Sequence, residues 1–414
     1  NGVIIMERIL TTVVGSWPRY EKLVPYIRKI WKGKKVDEKK LETVLEEAVK
    51  WAIDLQASAS GPESSKANVV GIDILSDGEQ SRFGYVDIVK KYSGFDVKRF
   101  GVVEATDWVW EDYLATVELQ MQSMMLMLPR ILAKFFRLFM SKDKIMNMIR
   151  KNFSFPTITS ELKYVGEKYT RKEIERALRY LPQGKELVYT TPSPSTILIF
   201  YPYEKGVFES EVDAIYRIAK ALSEEYKVIL SYEKVHLQID DPAIAMGYHI
   251  KWKERLFEII EDHVRAINEA IKGLPKERIR LHVCYGNYAG PHKYDVDFSR
   301  ILPYLLELKV GTLLIEMANP RHQADVEAFE GYELDKKIAV SVIDVKTPII
   351  EHPKVVKSRL LYASRFIDKE KLMATTDCGF GTFALTPTLT PKIAKMKLDS
   401  LVEGAYLASK ELFG

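Results

Sequence analysis

The stretch Ile279-Arg-Leu-His282-Val-Cys284-Tyr285-Gly286-Asn287 decides how the chain is interpreted. Apolar residues alternate through its first half, and a histidine and a cysteine follow two positions apart. On a β-strand, residues i and i+2 point to the same face. His282 and Cys284 are therefore predicted to point into one pocket at the end of a strand.

Two further apolar runs end in residues that bind metals. The chain has two cysteines, and the second closes the run Leu372-Met-Ala-Thr-Thr-Asp377-Cys378. The run Thr312-Leu-Leu-Ile-Glu316 ends in a carboxylate. Two thiols, an imidazole and a carboxylate form a ligand set that Zn²⁺ accepts. The alternative stays open that these are separate core residues, because a lone buried cysteine is usually a small hydrophobe.

The predicted ligands also indicate a type of chemistry. Glu316 is the hardest ligand of the four, so an incoming soft thiolate could displace it. A thiol bound to zinc is deprotonated at neutral pH and is a nucleophile without a general base. The pattern therefore predicts alkyl transfer to a thiol.

Eight apolar runs, each followed by a crossover, extend along the whole chain. They lie at 9–14, 69–75, 186–190, 234–239, 279–284, 312–316, 338–343 and 372–378. Helical spacing predicts helices at 37–57 and near 207–224, 252–272, 296–307, 321–330, 353–366 and 390–411. This alternation predicts an α/β fold, a single (β/α)8 TIM barrel formed by residues 1–414 as one domain. The candidate ligands then lie at the face where such barrels hold their active sites.

A stretch rich in Met and Leu interrupts this rhythm. Residues about 104–155 contain Phe135, Phe136 and Phe139 and predict a helical insertion after strand 2. The interpretation we favour is a lid or packing element on the barrel or at a dimer contact. A docking surface for a protein that carries the alkyl donor, a mouth for an apolar substrate and a membrane-surface helix remain as alternatives.

Composition excludes several classes of protein. The 61 Lys and Arg residues nearly balance the 57 Asp and Glu residues, and the net charge of +4 does not predict a nucleic-acid surface. No apolar run is long enough to span a bilayer. Two cysteines in 414 residues argue against a disulfide framework and predict a reducing, cytoplasmic location.

Two acidic residues at other strand ends predict an amino-acid substrate. Glu79 follows Asp77-Gly78, and Asp240 follows Gln238-Ile239, so both could converge on an ammonium group. Equally, each could cap the helix that follows it. Backbone N–H groups of the Gly15-Ser16 loop could hold a carboxylate.

Taken together, these motifs resemble the catalytic domain of cobalamin-independent methionine synthase, and more closely the short archaeal methionine-synthase-like proteins. In chain order the motifs are Thr12-Val-Val-Gly-Ser16-Trp-Pro18, Asp77-Gly-Glu79, Gln238-Ile-Asp240-Asp-Pro-Ala243, His282-Val-Cys284-Tyr285, Ile315-Glu316, Ala318-Asn319-Pro-Arg321-His322, Val342-Ile-Asp344-Val-Lys346 and Asp377-Cys378-Gly379. The resemblance implies zinc ligation by His282, Cys284, Glu316 and Cys378.

The resemblance also implies roles for the residues around the metal. Ser16 would contact the carboxylate of homocysteine, Glu79 and Asp240 would contact its amino group, and methyl transfer to its sulfur would give methionine. Asp344 and Lys346 are candidate catalytic residues with Glu316. With the substrate-loop residues Asn319, Arg321 and His322, they would shape the side of the methyl donor.

The sequence departs from the family pattern in ways that concern the donor. Phe200 stands where full-length synthases have a Trp that stacks on folate, and Lys346 stands where they have a catalytic His. We expect the chain to resemble the short forms that lack the folate-binding N-terminal half. We therefore expect a methyl-corrinoid or corrinoid protein, or methyl-tetrahydrofolate, as donor.

Two alternative functions remain. Asn319-Pro-Arg321-His322 is also similar to a stretch of the epoxyalkane:coenzyme M transferases, so the acceptor could be another small thiol such as coenzyme M. The second alternative is a non-catalytic barrel with a structural zinc ion and a partner-binding insertion.

Overall fold

The computed structural model describes residues 7–31, 34–103, 105–108, 110–112, 114–117, 144, 147, 154–385 and 387–414. The strands in these ranges are β1 (Leu10–Thr11), β2 (Ile74–Ser76), β3 (Tyr92–Val102), β4 (Ser154–Tyr164), β5 (Glu186–Pro192), β6 (Val235–Asp240), β7 (Ile279–Val283), β8 (Thr312–Ile315), β9 (Lys337–Ile343) and β10 (Leu372–Thr376).

Eight of these strands form a closed parallel barrel. Their order is β1-β10-β9-β8-β7-β6-β5-β2. The two ends of this order meet, because Thr12 and Ile74 form a parallel bridge. The Asp73 amide also donates to the Thr11 carbonyl at 3.1 Å. The predicted (β/α)8 TIM barrel is therefore confirmed.

Helices surround the barrel. Among the described residues, the α-helices include Val24–Trp31, Glu38–Ala57, Pro62–Lys66, Glu167–Leu178, Pro194–Phe200, Glu211–Leu230, Ala243–Gly247, Leu256–Ala270, Phe298–Leu306, Pro353–Ala363 and Pro391–Phe413. Asp37, Ser210 and Thr390 precede three of the longest helices, and each side-chain oxygen accepts a backbone N–H from the first turn. These caps satisfy amides that have no partner within the helix.

The predicted strands all lie within or overlap barrel strands, whereas the helix predictions were incomplete. The shorter helices Val24–Trp31, Pro62–Lys66, Pro194–Phe200 and Ala243–Gly247 were not predicted. The helix expected near 321–330 is a single turn of 3₁₀ helix, Asp325–Phe329. The helix Glu167–Leu178 was not predicted, because its buried face contains the charged residues Glu173 and Arg176. Hydrophobic periodicity cannot detect a face that is buried through ion pairs.

An antiparallel ribbon flanks the predicted insertion. Strands β3 and β4 pair with each other, and they end and begin close to the predicted limits of 104–155. The ribbon was not predicted, because Gly94 and the adjacent charged residues Lys98 and Arg99 break its apolar alternation, and the strand register shifts at both places. Most of the insertion, including Phe135, Phe136 and Phe139, lies outside the described residues. Among the described helices, none has the length and apolar character required to cross a bilayer.

An apolar layer fills part of the barrel interior. It packs one residue from each of six strands or their ends: Val14, Ile74, Val188, Leu314, Ala339 and Met373. A separate and much larger cluster joins the outer faces of the strands to the helices. Inward and outward residues alternate along each strand, which is why the two clusters are distinct.

A buried polar network connects this interior to the carboxyl ends of the strands. The Arg280 guanidinium donates to Gln238 Oε1 at 2.8 Å, to Thr12 Oγ1 at 2.7 Å and to the Val13 carbonyl at 2.6 Å. Burial lowers the pKa of Arg280 to about 9. Gln238 Nε2 in turn donates to Asp240 Oδ1 at 2.7 Å. The network thus fixes the orientation of a carboxylate at the barrel mouth.

A close contact between two outer helices gives a test of the packing. A Cβ atom at Gly404 would lie 2.4 Å from Cβ and Cγ1 of Val356 and 2.8 Å from the Pro353 carbonyl oxygen. We expect Gly404→Ala to lower the free energy of unfolding by about 1–3 kcal/mol, because overpacking strains the core. This loss should occur although alanine is the better helix former by about 1 kcal/mol. Urea denaturation measures the change.

The control for this experiment is Val356→Ala in the Gly404→Ala background. Removing the two γ-methyl groups should recover part of the loss, so the two substitutions should be non-additive. An increase in stability on Gly404→Ala alone would show that the helices do not approach this closely.

Candidate active site

A compact cluster of sulfur and nitrogen atoms lies at the carboxyl ends of β7 and β10. One ligand atom each from His282, Cys284 and Cys378 lies within 4.8 Å of the other two, and all three residues are buried. His282 and Cys284 are separated by one residue and share a face, as predicted. Neither cysteine forms a disulfide. The structure thus brings three of the four predicted ligands together.

The cluster fits a zinc ion chemically. Both ring nitrogens of His282 are buried without a hydrogen-bond partner, and leaving such a group unsatisfied costs about 1–3 kcal/mol. The Cys284 thiol holds the pKa of Cys378 well below its usual range, although burial opposes this shift. An imidazole beside two cysteines, one of which ionises readily, is the donor set that zinc prefers.

Glu316 lies directly after β8 but outside this cluster. Its carboxylate accepts three hydrogen bonds: Oε1 from Lys346 Nζ at 2.5 Å and from Asn319 Nδ2 at 2.8 Å, and Oε2 from the Tyr285 amide at 2.9 Å. The residue is fully buried. Burial raises the pKa of Glu316, and the charge of Lys346 opposes that effect. In this structure Glu316, the fourth predicted ligand, is therefore paired with Lys346.

Lys346 is itself held by acids at the ends of β9 and β10. Its Nζ lies 3.5 Å from Asp377 Oδ2, and its backbone amide donates to Asp344 Oδ1 at 2.8 Å. Asp377 also accepts the amide of Ala318 at 2.8 Å. Asp344 thus shapes the turn that carries Lys346.

Two buried acids face the mouth from β2 and β6. Glu79 has a positive φ of 52°, which is strained for a residue other than glycine. Its Oε1 accepts from Thr190 Oγ1 at 2.8 Å, whereas Oε2 is buried without a partner. Burial raises the pKa of Glu79, and Arg82 and Arg19 oppose the shift. The unpartnered oxygen is available to a cationic ligand.

Asp240 responds to the same environment. Burial raises the pKa of Asp240 to about 7, and the charge of Glu79 contributes to the increase. The charge of Glu79 therefore disfavours the ionisation of Asp240. A bound ammonium group would offset this effect, which is the role predicted for an amino-acid substrate.

Ser16 lies against the loop that carries Cys378. The Phe380 amide donates to the Ser16 carbonyl at 2.9 Å. A Cβ atom at Gly379 would lie 1.9 Å from Ser16 Oγ, so this contact requires glycine. The structure thus places the predicted carboxylate-binding loop beside a predicted metal ligand.

The three predicted loop residues after β8 have different surroundings. Asn319 Oδ1 accepts the amides of Arg321 at 2.9 Å and His322 at 3.2 Å, which turns its Nδ2 toward Glu316. Arg321 is exposed, and its guanidinium lies 3.5 Å from the Lys293 carbonyl.

Both ring nitrogens of His322 are occupied. Nδ1 lies 2.8 Å from Asp325 Oδ2 and Nε2 lies 2.8 Å from Asp295 Oδ2, so neither nitrogen is free to bind a substrate. The ring stacks on Tyr285 at 3.8 Å. His322 therefore supports the loop instead of facing a ligand.

Two residues of the mouth were missed by the sequence analysis. Tyr85 is half-buried, and burial together with negative charge on Cys284 and Cys378 raises the pKa of its phenol well above its usual range. It packs edge-on against Phe200 at 5.9 Å. No sequence pattern marks Tyr85, because it lies in an irregular loop after β2.

Asn287 is the second residue of the mouth that was not predicted. Its Nδ2 donates to the Gly379 carbonyl at 2.8 Å and to Thr382 Oγ1 at 2.5 Å, and these bonds tie the loop after β7 to the loop after β10. Asn287 follows Cys284 by three positions, so its place in the sequence was a signal that could have been used.

The described start of the insertion contacts the loop after β7. The Asp112 carboxylate accepts the Lys293 amide at 3.1 Å, and Trp108 stacks on Tyr294 at 5.0 Å. Thr106 donates its amide to the Ile250 carbonyl at 2.7 Å. These residues therefore pack the beginning of the insertion on the barrel mouth.

Several known proteins resemble this chain in sequence. Residues 140–400 match the family described as the catalytic domain of cobalamin-independent synthase. The chain is 26% identical over 404 residues to a methionine synthase of Sulfurisphaera tokodaii, covering 97% of this chain and 93% of that protein. A methionine synthase of Sulfolobus acidocaldarius is 26% identical over 403 residues, with the same coverage of 97% and 93%.

A solved structure shares the fold. The B12-independent methionine synthase from Shewanella sp. W3-18-1, in complex with selenomethionine, superimposes with a TM-score of 0.67 and 21% identity. The match covers 98% of this chain and 99% of that one.

The surroundings of His322 predict a pH dependence of stability. Burial alone would lower the pKa of His322, but the hydrogen bonds to Asp295 and Asp325 raise it to about 9. The folded protein therefore keeps a proton that the unfolded chain loses near pH 6.5. This stabilisation, on the order of 3 kcal/mol, is complete below about pH 6.5 and is lost as pH rises through about 9.

Replacement of this residue, His322→Gln, should remove that part of the alkaline loss. Free energies of unfolding measured between about pH 6 and pH 10 test this. His263→Gln is the control, because burial lowers the pKa of His263 to about 3 and keeps it neutral throughout this range. Equal slopes for the wild type and His322→Gln would contradict the prediction.

Proposed function

The chain belongs to the cobalamin-independent synthase catalytic-domain family, and from this premise we propose that it transfers a methyl group to the sulfur of homocysteine, forming methionine. The enzyme is a methyltransferase. The proposal includes Zn²⁺ as the metal of the active site. The two archaeal relatives named above are methionine synthases, which supports the choice of product.

One observation carries the proposal. The cluster of His282, Cys284 and Cys378, which can activate a thiol, shares a barrel mouth with Glu79 and Asp240, two buried acids. A molecule with a thiol near an ammonium group matches both halves of this site. Homocysteine has that combination, and its carboxylate would lie on the Ser16 side.

The metal would be held by His282, Cys284 and Cys378, with Glu316 as the ligand that gives way. When bound, zinc lowers the pKa of a coordinated thiol, so that the thiol is a nucleophile at neutral pH. Glu79 and Asp240 bind and orient the ammonium group, and they hold the thiol toward the cluster.

The transfer forms a bond between the sulfur of homocysteine and the methyl carbon. The bond between the methyl carbon and its donor breaks, its electron pair stays on the donor, and the thiol proton leaves. A methyl-corrinoid, free or on a protein, and methyl-tetrahydrofolate are the two candidate donors, and product formation with each distinguishes them. Asp344, Lys346 and the Asn319–His322 loop, with Arg321, border the donor side.

Loss of a ligand should release zinc. We expect Cys284→Ser to weaken zinc affinity by more than about 100-fold, since loss of a residue that merely supports a ligand already costs about 10- to 100-fold. Competition with a chromogenic chelator measures the affinity.

His263→Phe is the matched control. His263 is also buried with both ring nitrogens unpartnered, but it packs edge-on against Trp252 and away from the cysteines. It should keep zinc. Wild-type affinity in Cys284→Ser would refute the metal centre, and equal loss in both variants would indicate a general defect in folding.

Neutralising one acid should reduce the affinity for homocysteine. Hydrogen bonds to charged groups contribute about 1.5–3 kcal/mol, so Glu79→Gln should weaken binding by roughly 10- to 100-fold while zinc content stays unchanged. Isothermal titration of the zinc-loaded protein measures this. Coenzyme M, which has no ammonium group, should bind the wild type and Glu79→Gln equally.

Glu225→Gln controls for the loss of a buried charge, because Glu225 is paired with Lys91 at 2.5 Å and is not part of the mouth. It should bind homocysteine normally. Unchanged homocysteine affinity in Glu79→Gln would rule out the assigned role of Glu79.

A further inference from the structure

Glu316 has a complete set of partners within the protein. Its carboxylate accepts from an ammonium, a side-chain amide and a backbone amide, belonging to Lys346, Asn319 and Tyr285. Carboxylates that bind metals commonly accept supporting hydrogen bonds, but these three donors occupy both oxygens of Glu316 and hold it outside the cluster of His282, Cys284 and Cys378. The three donors therefore form a second binding place for this side chain.

Each of the three donors is fixed by its own surroundings. Lys346 is 6% exposed, and its turn is held by Asp344. The Asn319 amide is oriented by two backbone N–H groups that its oxygen accepts. The Tyr285 ring stacks on His322 at 3.8 Å. The second binding place is therefore preorganised and does not depend on flexible surface groups.

The negative charge of Glu316 explains why this second binding place is important. A buried carboxylate is strongly destabilising without a cation beside it. For Glu316, Lys346 is the cation in direct contact, and a metal held by His282, Cys284 and Cys378 would be the competing one. The balance between these two cations decides whether the fourth metal position is blocked by Glu316 or open to a thiol.

We propose that Lys346, Asn319 and the Tyr285 amide form a receptor that holds the Glu316 carboxylate away from the metal ligands and so opens the fourth position to the substrate thiol. This inference rests on the proposed function. Lys346 is in this sense a positioning residue, because it acts on the reaction through Glu316.

The test compares the zinc-loaded wild type with Lys346→Met. X-ray absorption at the zinc edge counts sulfur ligands before and after addition of homocysteine. The wild type should gain one sulfur. Lys346→Met should gain none at the same concentration, because the ring nitrogens of His322 are bound to Asp295 and Asp325 and the metal is then the cation that Glu316 can contact directly. Lys346→Arg should restore the gain, and so should Glu316→Gln combined with Lys346→Met.

A second readout requires no substrate. With the lysine gone, Glu316 should bind the metal more often, and zinc affinity should rise by at least about tenfold, since breaking a buried ion pair has large effects. Asn319→Ala removes one hydrogen-bond donor and no charge. It should reduce the gain of sulfur ligands and raise the zinc affinity, each by less than Lys346→Met does. It also provides a result if Lys346→Met does not fold.

Lys91→Met is the matched control, because it breaks another buried pair, Lys91–Glu225, outside the mouth. It should leave both readouts unchanged. The same sulfur count and zinc affinity in Lys346→Met as in the wild type would overturn the receptor. If the wild type gains no sulfur, homocysteine is the wrong substrate, and the affinity comparison still decides on the receptor.

Discussion

Closure of the barrel between β1 and β2 is the constraint on which the site depends. The parallel bridge between Thr12 and Ile74 joins the first and last strands of the sheet order. Around the closed ring, the loops after β10, β1 and β2 become neighbours, and they carry Cys378, Ser16 and Glu79. Without closure, Glu79 would lie at the opposite edge of an open sheet from Ser16 and Cys378, and no single pocket could contain all three.

The buried polar groups at the mouth of the barrel are of two kinds. One kind is satisfied within the protein, as in the hydrogen bonds that Glu316 and Asp377 accept. The other kind has atoms without partners, and it includes the ring nitrogens of His282 and one oxygen of Glu79. Buried polar groups are normally hydrogen-bonded, so the open valences of these two residues suit the proposed metal and substrate. The satisfied groups hold these atoms in place.

The loop after β7 connects the metal cluster to the rest of the mouth. Asn287 ties it to the loop that follows Cys378. Farther along, it receives Asp112 and Trp108 from the start of the insertion. This connection supports the interpretation of the insertion as a packing element over the barrel, at least for its first residues.

The sequence by itself determined the barrel and most of the candidate site. Period-two alternation, strand-end chemistry and the spacing of the strands are local properties, so they revealed eight strands and the shared face of His282 and Cys284. The ribbon of β3 and β4 and the helix Glu167–Leu178 were not visible, because charged and small residues obscure their periodicity. Only the tertiary structure decided which partners the buried charges have. The pairing of Glu316 with Lys346, the occupied ring of His322 and the position of Tyr85 depend on contacts between distant loops, and no local pattern records distances across the barrel.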